Sequence, residues 1–300
     1  MAITSLKMKR INLLISLLLI LISFLWAGSF VAVDLIVDQI NPIYLGFLRF
    51  LIALPFMILA LFLSKKDKNI PIRELPKLIV LGLSGITLLY IFQFYGIEMT
   101  TPSTSAVLIN TNLLFILLLS VIFLNEKLSL KKIIGIVFSF IGVIVIMLAQ
   151  LLNEKIVFDN SFFIGCIFII VSAFFWAIYS VVGKKLIKKY DPLTITAYAF
   201  ILGTIFYLPL VFSDFMNAVK NIDITGLMGI LYLSLLCSVF GYIGWYYALE
   251  KIEASKASVF LTLIPPFAIA ISFVFGERPT LFFIVGSLLI IFGVYYTQSS

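Results

Sequence analysis

YGIEMTTPSTSA, residues Tyr95 to Ala106, and YALEKIEASKAS, residues Tyr247 to Ser258, are two loose copies of one segment. Further pairs recur in the same order, at offsets of 150 to 152 residues. These are Trp26-Ala27 with Trp176-Ala177, Asn41-Pro42 with Asp191-Pro192, and NEKLSL (125–130) with GERPTL (276–281). The sequence therefore contains an internal duplication, and we predict one repeat in residues 1–150 and a second in residues 151–300.

The composition places both repeats in a membrane. Hydrophobic residues make up 63% of the chain and charged residues 12%, with a mean hydropathy of +1.21, whereas a soluble domain is about 45–50% apolar. The apolar runs have the length of bilayer helices, and the short alternating segments of a barrel are absent from the sequence. The sequence thus predicts an all-α integral membrane protein with ten spans. They lie near residues 11–33, 42–63, 75–96, 102–124, 130–149, 162–186, 193–212, 225–249, 254–275 and 279–297.

Charge distribution orients the spans. With a cytoplasmic N-terminus, 17 of the 21 lysines and arginines fall on cytoplasmic connections and 3 on outer ones, which follows the positive-inside rule. Five spans per repeat is an odd number, so the second repeat must be inverted and both termini cytoplasmic. In agreement, the connection after the first span carries Asp34 and Asp38 without a cation, while four lysines follow the sixth span. Inverted repeats are typical of secondary transporters, because the halves can exchange conformations around a central site.

Several function classes are disfavoured by what the sequence lacks. It has no histidine, only two cysteines, both within spans, and no glycine-rich phosphate loop, so we expect no catalytic residues, no metal site and no cofactor, and we do not expect an enzyme. The net charge of +7 is explained by connections facing the anionic inner leaflet, so we expect no nucleic-acid partner. The expected partners are membrane lipid and a small-molecule metabolite.

Several short motifs together resemble the EamA family of the drug/metabolite transporter superfamily. They are Trp26-Ala27, Leu48-Arg49-Phe50, Tyr95-Gly96-Ile97-Glu98, Asn125-Glu126-Lys127-Leu128-Ser129-Leu130, and in the second half Trp176-Ala177, Leu231-Tyr232, Tyr246-Tyr247-Ala248-Leu249, Ile264-Pro265-Pro266 and Gly276-Glu277-Arg278. The resemblance implies a ten-helix inverted-repeat carrier that moves metabolites such as amino acids, often outward, through a central cavity. One departure is that Leu113-Leu114 replaces the proline expected in the fourth span, so we expect the helix break or hinge only at Pro265 and Pro266.

Pairing the repeats residue by residue indicates where a cavity would form. Tyr90 pairs with Tyr242, Gln93 with Trp245 and Asn110 with Thr262, and residues three apart share a helix face. The candidate substrate-binding residues are Trp26, Arg49, Tyr90, Gln93, Asn110, Trp176, Tyr179, Tyr242, Trp245 and Thr262. The alternative is that the aromatic residues among them are packed core side chains.

Charged residues in or near the spans leave alternatives open. Arg49 lies within the second span, where it could bind a substrate carboxylate or close an outer gate with Asp34, or instead snorkel to the interface or tie helix ends together. Glu126 and Glu277 are interpreted mostly as helix-start residues that favour the positive end of the helix dipole. Proton coupling, facilitated diffusion and exchange all remain possible mechanisms.

The sequence therefore favours a multi-pass plasma-membrane carrier, an exporter or exchanger that works by alternating access. The competing hypotheses are a non-transporting scaffold, a lipid-handling protein and a multidrug carrier. The glycine pairs Gly135/Gly142 and Gly286/Gly293 favour helix packing within the chain over dimerisation, and the oligomeric state stays open.

Overall fold

A computed structural model of the chain describes residues 2–153, 159–211, 215–274 and 281–299, which are almost entirely helical and contain no β-strand. The long helices are α1 (Ala2–Val37), α2 (Pro42–Leu63), α3 (Ile72–Met99), α4 (102–124), α5 (Leu130–Asn153), α6 (Asn160–Ile187), α7 (Pro192–Val211), α8 (Ile224–Lys251), α9 (254–274) and α10 (Leu281–Gln298). A short helix, Phe215–Ala218, lies between α7 and α8. Within these residues, nine helices are long and apolar enough to cross a membrane. The predicted all-α membrane fold is confirmed, and the count of ten spans stays a prediction.

Short polar residues begin several of these helices. Asn41 precedes Pro42, and its side-chain oxygen accepts the Ile43 N–H at 3.0 Å. Asp159 and Asp223 cap α6 and α8 in the same manner, each accepting an N–H three residues on at 2.8 Å. A side-chain acceptor at this position satisfies one of the free N–H groups of the first turn. The Asn-Pro and Asp-Pro pairs of the repeat are thus helix starts.

Glycines show that α5 and α10, the last long helix of each half, run in opposite directions. A Cβ atom on Gly135 would lie 2.7 Å from the Gly293 carbonyl oxygen, and one on Gly142 would lie 2.6 Å from the Gly286 carbonyl oxygen. Residue numbers rise along α5 as they fall along α10, so these equivalent helices are antiparallel. An inverted duplication requires this arrangement. The glycine pairs also pack against each other within one chain, at distances that only glycine permits.

Irregular turns interrupt the same helices in both halves. α3 contains a π-helical segment, Leu83–Thr87, and α8 contains another, Leu233–Phe240. α4 contains a 3₁₀ turn, Ile109–Thr111, and α9 contains Phe260–Leu263. The expectation that the second half alone would be irregular is wrong, because the turn in α4 forms without a proline. In α9, Pro265 and Pro266 follow the 3₁₀ turn, at the start of the segment Ile264–Val274.

Candidate functional site

The three tryptophans of the chain meet at the centre of the helices. The Trp26 and Trp176 rings lie 5.0 Å apart edge to face, and Trp245 lies 5.9 Å from Trp26 and 5.4 Å from Trp176. Tyr242 packs against Trp176 at 5.5 Å and against Tyr179 at 5.4 Å. Helices α1, α6 and α8 contribute these residues, so the cluster is built by both halves.

The π-helical segments connect this cluster to the backbone of the opposite half. Gly85 and Cys237 occupy equivalent positions, 152 residues apart. The Tyr242 hydroxyl donates to the Gly85 carbonyl oxygen at 2.7 Å, and the Trp26 Nε1–H donates to the Cys237 carbonyl oxygen at 2.9 Å. A π turn shifts the helical hydrogen bonds by one residue and leaves carbonyl groups for side chains to use. Each half therefore supplies a donor to the irregular turn of the other.

At the pseudo-twofold centre the repeat-related tyrosines meet. The hydroxyl oxygens of Tyr90 and Tyr242 lie 3.0 Å apart. Phe50 packs against both rings, at 5.1 and 6.3 Å between centroids. The two halves thus touch through equivalent side chains at the same depth.

A cavity lies against this cluster. The space open to the centres of water-sized molecules is about 50 Å³, which is enough for a few ordered waters. Its walls are formed by Trp26, Ser29, Phe30, Leu89, Tyr90, Gln93, Ile109, Asn112, Trp176, Leu261 and Ile264. In the predicted orientation α1 and α3 run outward, so Ser29, Phe30 and Gln93 place the cavity on the outer side of Trp26 and Tyr90.

Polar groups in the cavity wall lack protein partners. The Trp176 Nε1–H and the Asn112 Oδ1 atom are buried without a hydrogen-bond partner among the described residues. Gln93 lies in the same wall and forms no side-chain hydrogen bond to any residue the structure describes. A buried polar group without a partner is costly, by about 1–3 kcal/mol. Trp176 and Asn112 thus keep one donor and one acceptor unsatisfied beside the cavity.

The structure separates the predicted site residues into four groups. Trp26, Tyr90, Gln93 and Trp176 line the cavity, while Tyr179, Tyr242 and Trp245 pack behind it. Arg49 lies behind the Tyr90 ring. Asn110 and Thr262 are fully buried and donate to carbonyl groups of their own helices, Ala106 at 2.7 Å and Val259 at 2.6 Å, outside the cavity wall.

Asn112 is a wall residue that sequence reasoning missed. It stands two positions after Asn110, which repeat pairing selected because it matched Thr262. The 3₁₀ turn Ile109–Thr111 changes the rotation per residue between them, so Asn112 and not Asn110 faces the cavity. A second polar residue inside an apolar span was the available signal.

Arg49 is 1% exposed, so its side chain is enclosed by the protein and does not snorkel to the surface. Its Nε–H donates to the Ser238 Oγ atom at 2.7 Å, and its guanidinium carbon lies 4.2 Å from the centroid of the Tyr90 ring. Within the described ranges it forms no ion pair, and Asp34, the expected gate partner, is exposed. The gate between Arg49 and Asp34 is therefore not formed in this structure.

The side predicted to be cytoplasmic is closed by an ionic contact between the halves. The Glu126 carboxylate accepts the Ala254 N–H at 2.7 Å and the Ser255 N–H and hydroxyl at 3.1 and 2.6 Å. The Lys184 Nζ atom lies 3.6 Å from this carboxylate and donates to the Ile252 carbonyl oxygen. We name these residues, Glu126, Lys184 and 252–255, the Glu126 clasp.

The clasp differs from the helix-start role expected for Glu126. Its carboxylate binds the first turn of α9, in the other half, and the N–H of Lys132 in α5 is accepted by Ser129 instead. Burial alone would raise the pKa of Glu126, but the Ser255 hydrogen bonds, the Lys184 charge and the Ala254 N–H lower it below its ordinary value. Glu126 is thus ionised at neutral pH. Glu277, its repeat counterpart, lies outside the described residues.

Comparisons with known proteins cover nearly the whole chain. The model of the EamA-like transporter family matches twice, over residues 13–148 and 163–298. An uncharacterized transporter of Archaeoglobus fulgidus is 38% identical over 285 residues, which are 94% of this chain and 96% of that protein. A Streptantibioticus cattleyicolor protein named a probable terminal-alkyne amino-acid exporter is 27% identical over 278 residues, 92% and 90% of the two chains. One solved crystal structure shares the fold, with a TM-score of 0.76 at 16% identity over 96% of both chains.

Proposed function

The chain belongs to the EamA-like transporter family, and from that premise we propose that this multi-pass membrane protein exports a small amino-acid-like metabolite across the plasma membrane. Transport would proceed by alternating access, driven by a solute gradient or by exchange. The observation that carries the proposal is the cavity between the halves, whose wall holds Gln93 and the unpartnered groups of Asn112 and Trp176. A scaffold would be packed solid at this place, without a cavity that has polar side chains in its wall.

The chemistry of the wall suits an amino acid. The Trp176 Nε1–H and the Gln93 amide are donors for carboxylate oxygens, and Asn112 Oδ1 is an acceptor for an ammonium group. Trp26 and Phe30 offer apolar surface to a side chain. A relative named for amino-acid export supports the same class.

The cavity must widen before it can hold such a molecule. Its present volume of about 50 Å³ admits water, whereas pockets that bury small ligands are about 300–1,000 Å³. On the inner side, stacking of Tyr179 on Tyr246, at 4.7 Å, and the Glu126 clasp close the path. We infer that this arrangement is closed inward and that export requires the clasp to open.

The test uses the full chain reconstituted in lipid vesicles. Vesicles preloaded with unlabelled amino acids are challenged with traces of each labelled amino acid, with and without a pH gradient. We expect counterflow for at least one of them, reduced by tenfold or more in Gln93→Ala and in Trp176→Phe, which keeps a ring but removes the N–H. The matched control is Phe62→Leu, which should transport normally because this side chain is 77% exposed and faces away from the other helices.

Absence of flux for every amino acid would contradict this function. Uptake confined to lipophilic cations would indicate a multidrug carrier instead. Flux that depends on the pH gradient would identify proton coupling, and equal flux in its absence would identify exchange or facilitated diffusion.

A further inference from the structure

Arg49 differs from the other buried cations in the described part of the chain. Lys184 pairs with Glu126 at 3.6 Å, and Lys132 pairs with Glu253. Both lysines lie near the ends of their helices. Arg49 lies deep within α2, 1% exposed, and no carboxylate pairs with it among the residues described. It is the buried cation whose counter-charge is missing.

Its present contacts satisfy only part of the guanidinium. Of its five N–H donors, the Nε–H is bonded to Ser238, and the Tyr90 ring covers one face. A hydroxyl and an aromatic face stabilise a cation more weakly than a carboxylate does. Retaining an unpaired charge at this depth is costly unless another molecule neutralises it.

The cavity lies on the other side of Tyr90. Tyr90 is both the ring that covers Arg49 and a wall of the cavity, so a single side chain separates the charge from the binding space. The cavity wall contains no aspartate or glutamate. The field in the cavity is therefore set by a cation without a competing acid, which attracts anions and repels cations.

We propose, on the basis of the function proposed above, that the substrate carries a carboxylate and that Arg49 is the group that selects it. The planar guanidinium matches a carboxylate in a bidentate geometry. Binding turns the Tyr90 ring away from Arg49 and places the carboxylate against it, with the Gln93 amide, one turn further along α3, as a second donor. Tyr90 thus hides the charge in the empty protein and exposes it to the substrate.

The charge preference can be measured as binding, independently of transport. All three tryptophans of the chain lie in the central cluster, so their fluorescence reports directly on the site. The probes are phenylacetate, phenylacetamide and phenethylamine, which share a ring and differ in charge. For purified full-length protein we expect phenylacetate to bind about tenfold more tightly than phenylacetamide, and phenethylamine to bind more weakly than both.

Variants assign the preference to Arg49. Arg49→Gln should reduce the affinity ratio of phenylacetate to phenylacetamide to about one, while Arg49→Lys should retain part of it because the charge remains. Lys132→Gln, which removes a paired buried cation elsewhere, should leave the ratio unchanged. Ser238→Ala removes the hydrogen-bond acceptor of Arg49 and should also keep the preference.

Thermal unfolding of the same samples separates selection from structural support. If Arg49 only ties α2 to α8, Arg49→Gln destabilises the protein and the charge preference of the folded fraction persists, which would overturn the proposal. Equal affinity of the unaltered protein for phenylacetate and phenylacetamide would also overturn it. Vesicle flux reports on the proposed function separately. Transport without a charge preference rejects only the role of Arg49. Charge-selective binding without transport rejects only the proposed export of amino-acid-like metabolites.

Discussion

Replacing Glu126 by glutamine tests whether the Glu126 clasp holds the two halves together. The substitution keeps the shape of the side chain and one carbonyl acceptor. It removes the negative charge that accepts hydrogen bonds from the Ala254 and Ser255 N–H groups and attracts Lys184. The glutamine would present an NH₂ group where the carboxylate now accepts a bond.

The free energy expected to be lost in this variant follows from the burial of the Glu126–Lys184 pair. The side chains of Lys184 and Glu126 are 11% and 6% exposed, so the pair belongs to the buried class, for which loss of one partner typically costs about 3–5 kcal/mol. Because glutamine retains one acceptor, we expect about 2–3 kcal/mol. That free energy corresponds to a change of about 30- to 150-fold in an opening equilibrium.

Hydrogen exchange of the full chain in lipid nanodiscs measures this opening directly. In Glu126→Gln the amides at 252–259 should exchange faster by the same factor, while amides near Gly135 in α5 should change little. Glu250→Gln is the matched control, because its ion pair with Lys251 is more than a third exposed on both sides and contributes about 1 kcal/mol at most.

The pH dependence gives a second readout. Because the pKa of Glu126 is lowered in the folded protein, its contribution is fully present above the ordinary glutamate pKa of about 4.3 and is lost as the pH falls through the lowered value. Protection at 252–259 should therefore be constant from pH 8 to pH 5 and fall in more acidic buffer, and Glu126→Gln should lack that acidic decline. Equal protection in the variant and the unaltered protein at pH 7 would refute the clasp.

Two further substitutions test the packing of the repeats. Gly142→Ala would place a Cβ atom 2.6 Å from the Gly286 backbone oxygen, so we expect the free energy of unfolding, measured with heat or denaturant, to fall by about 1–3 kcal/mol. The control is Gly244→Ala, whose Cβ atom would meet the movable end of a side chain at 2.9 Å and should destabilise the protein less. Equal losses of stability would contradict the close approach of the helices. Tyr242→Phe removes the hydroxyl that donates to the Gly85 carbonyl at 2.7 Å, so we expect about 1–2 kcal/mol lower stability together with reduced vesicle flux, and unchanged stability and flux would show that this bond does not matter.

Much of the fold could be predicted because repetition and hydropathy act over long stretches. The runs near residues 42–63 and 225–249 agree with α2 and α8 within two residues at each end, since a bilayer demands apolar length whatever the packing. The antiparallel pairing of Gly135 with Gly293 agrees with the inversion that charge counting predicts. Hydropathy and charge bias are sums over many residues, so a wrong assignment of a few residues does not change the prediction.

The details of the site depend on single hydrogen bonds and could not be predicted in the same way. The segment Leu83–Thr87 is π-helical, and the shift of one bond is stabilised by distant partners such as Tyr242 and Tyr207. The 3₁₀ turn before Asn112 likewise rotates one amide into the cavity and another away. Sequence pattern shows that Asn110 and Asn112 are polar residues within a span, but it does not show which of them tertiary contacts turn towards the cavity.

The ends of the helices break a symmetry that the contact between Tyr90 and Tyr242 keeps. Tyr90 meets Tyr242 at the pseudo-twofold centre, so exchanging the conformations of the two halves would leave this pairing equivalent. Lys184 of the clasp has no such equivalent, because Asp34, exposed on the other side, stands at its repeat position. For a carrier whose halves exchange conformations, as proposed above, a clasp of about 2–3 kcal/mol would favour the inward-closed state about 30- to 150-fold. For the proposed carrier, we therefore expect Glu126 to influence which side the cavity faces.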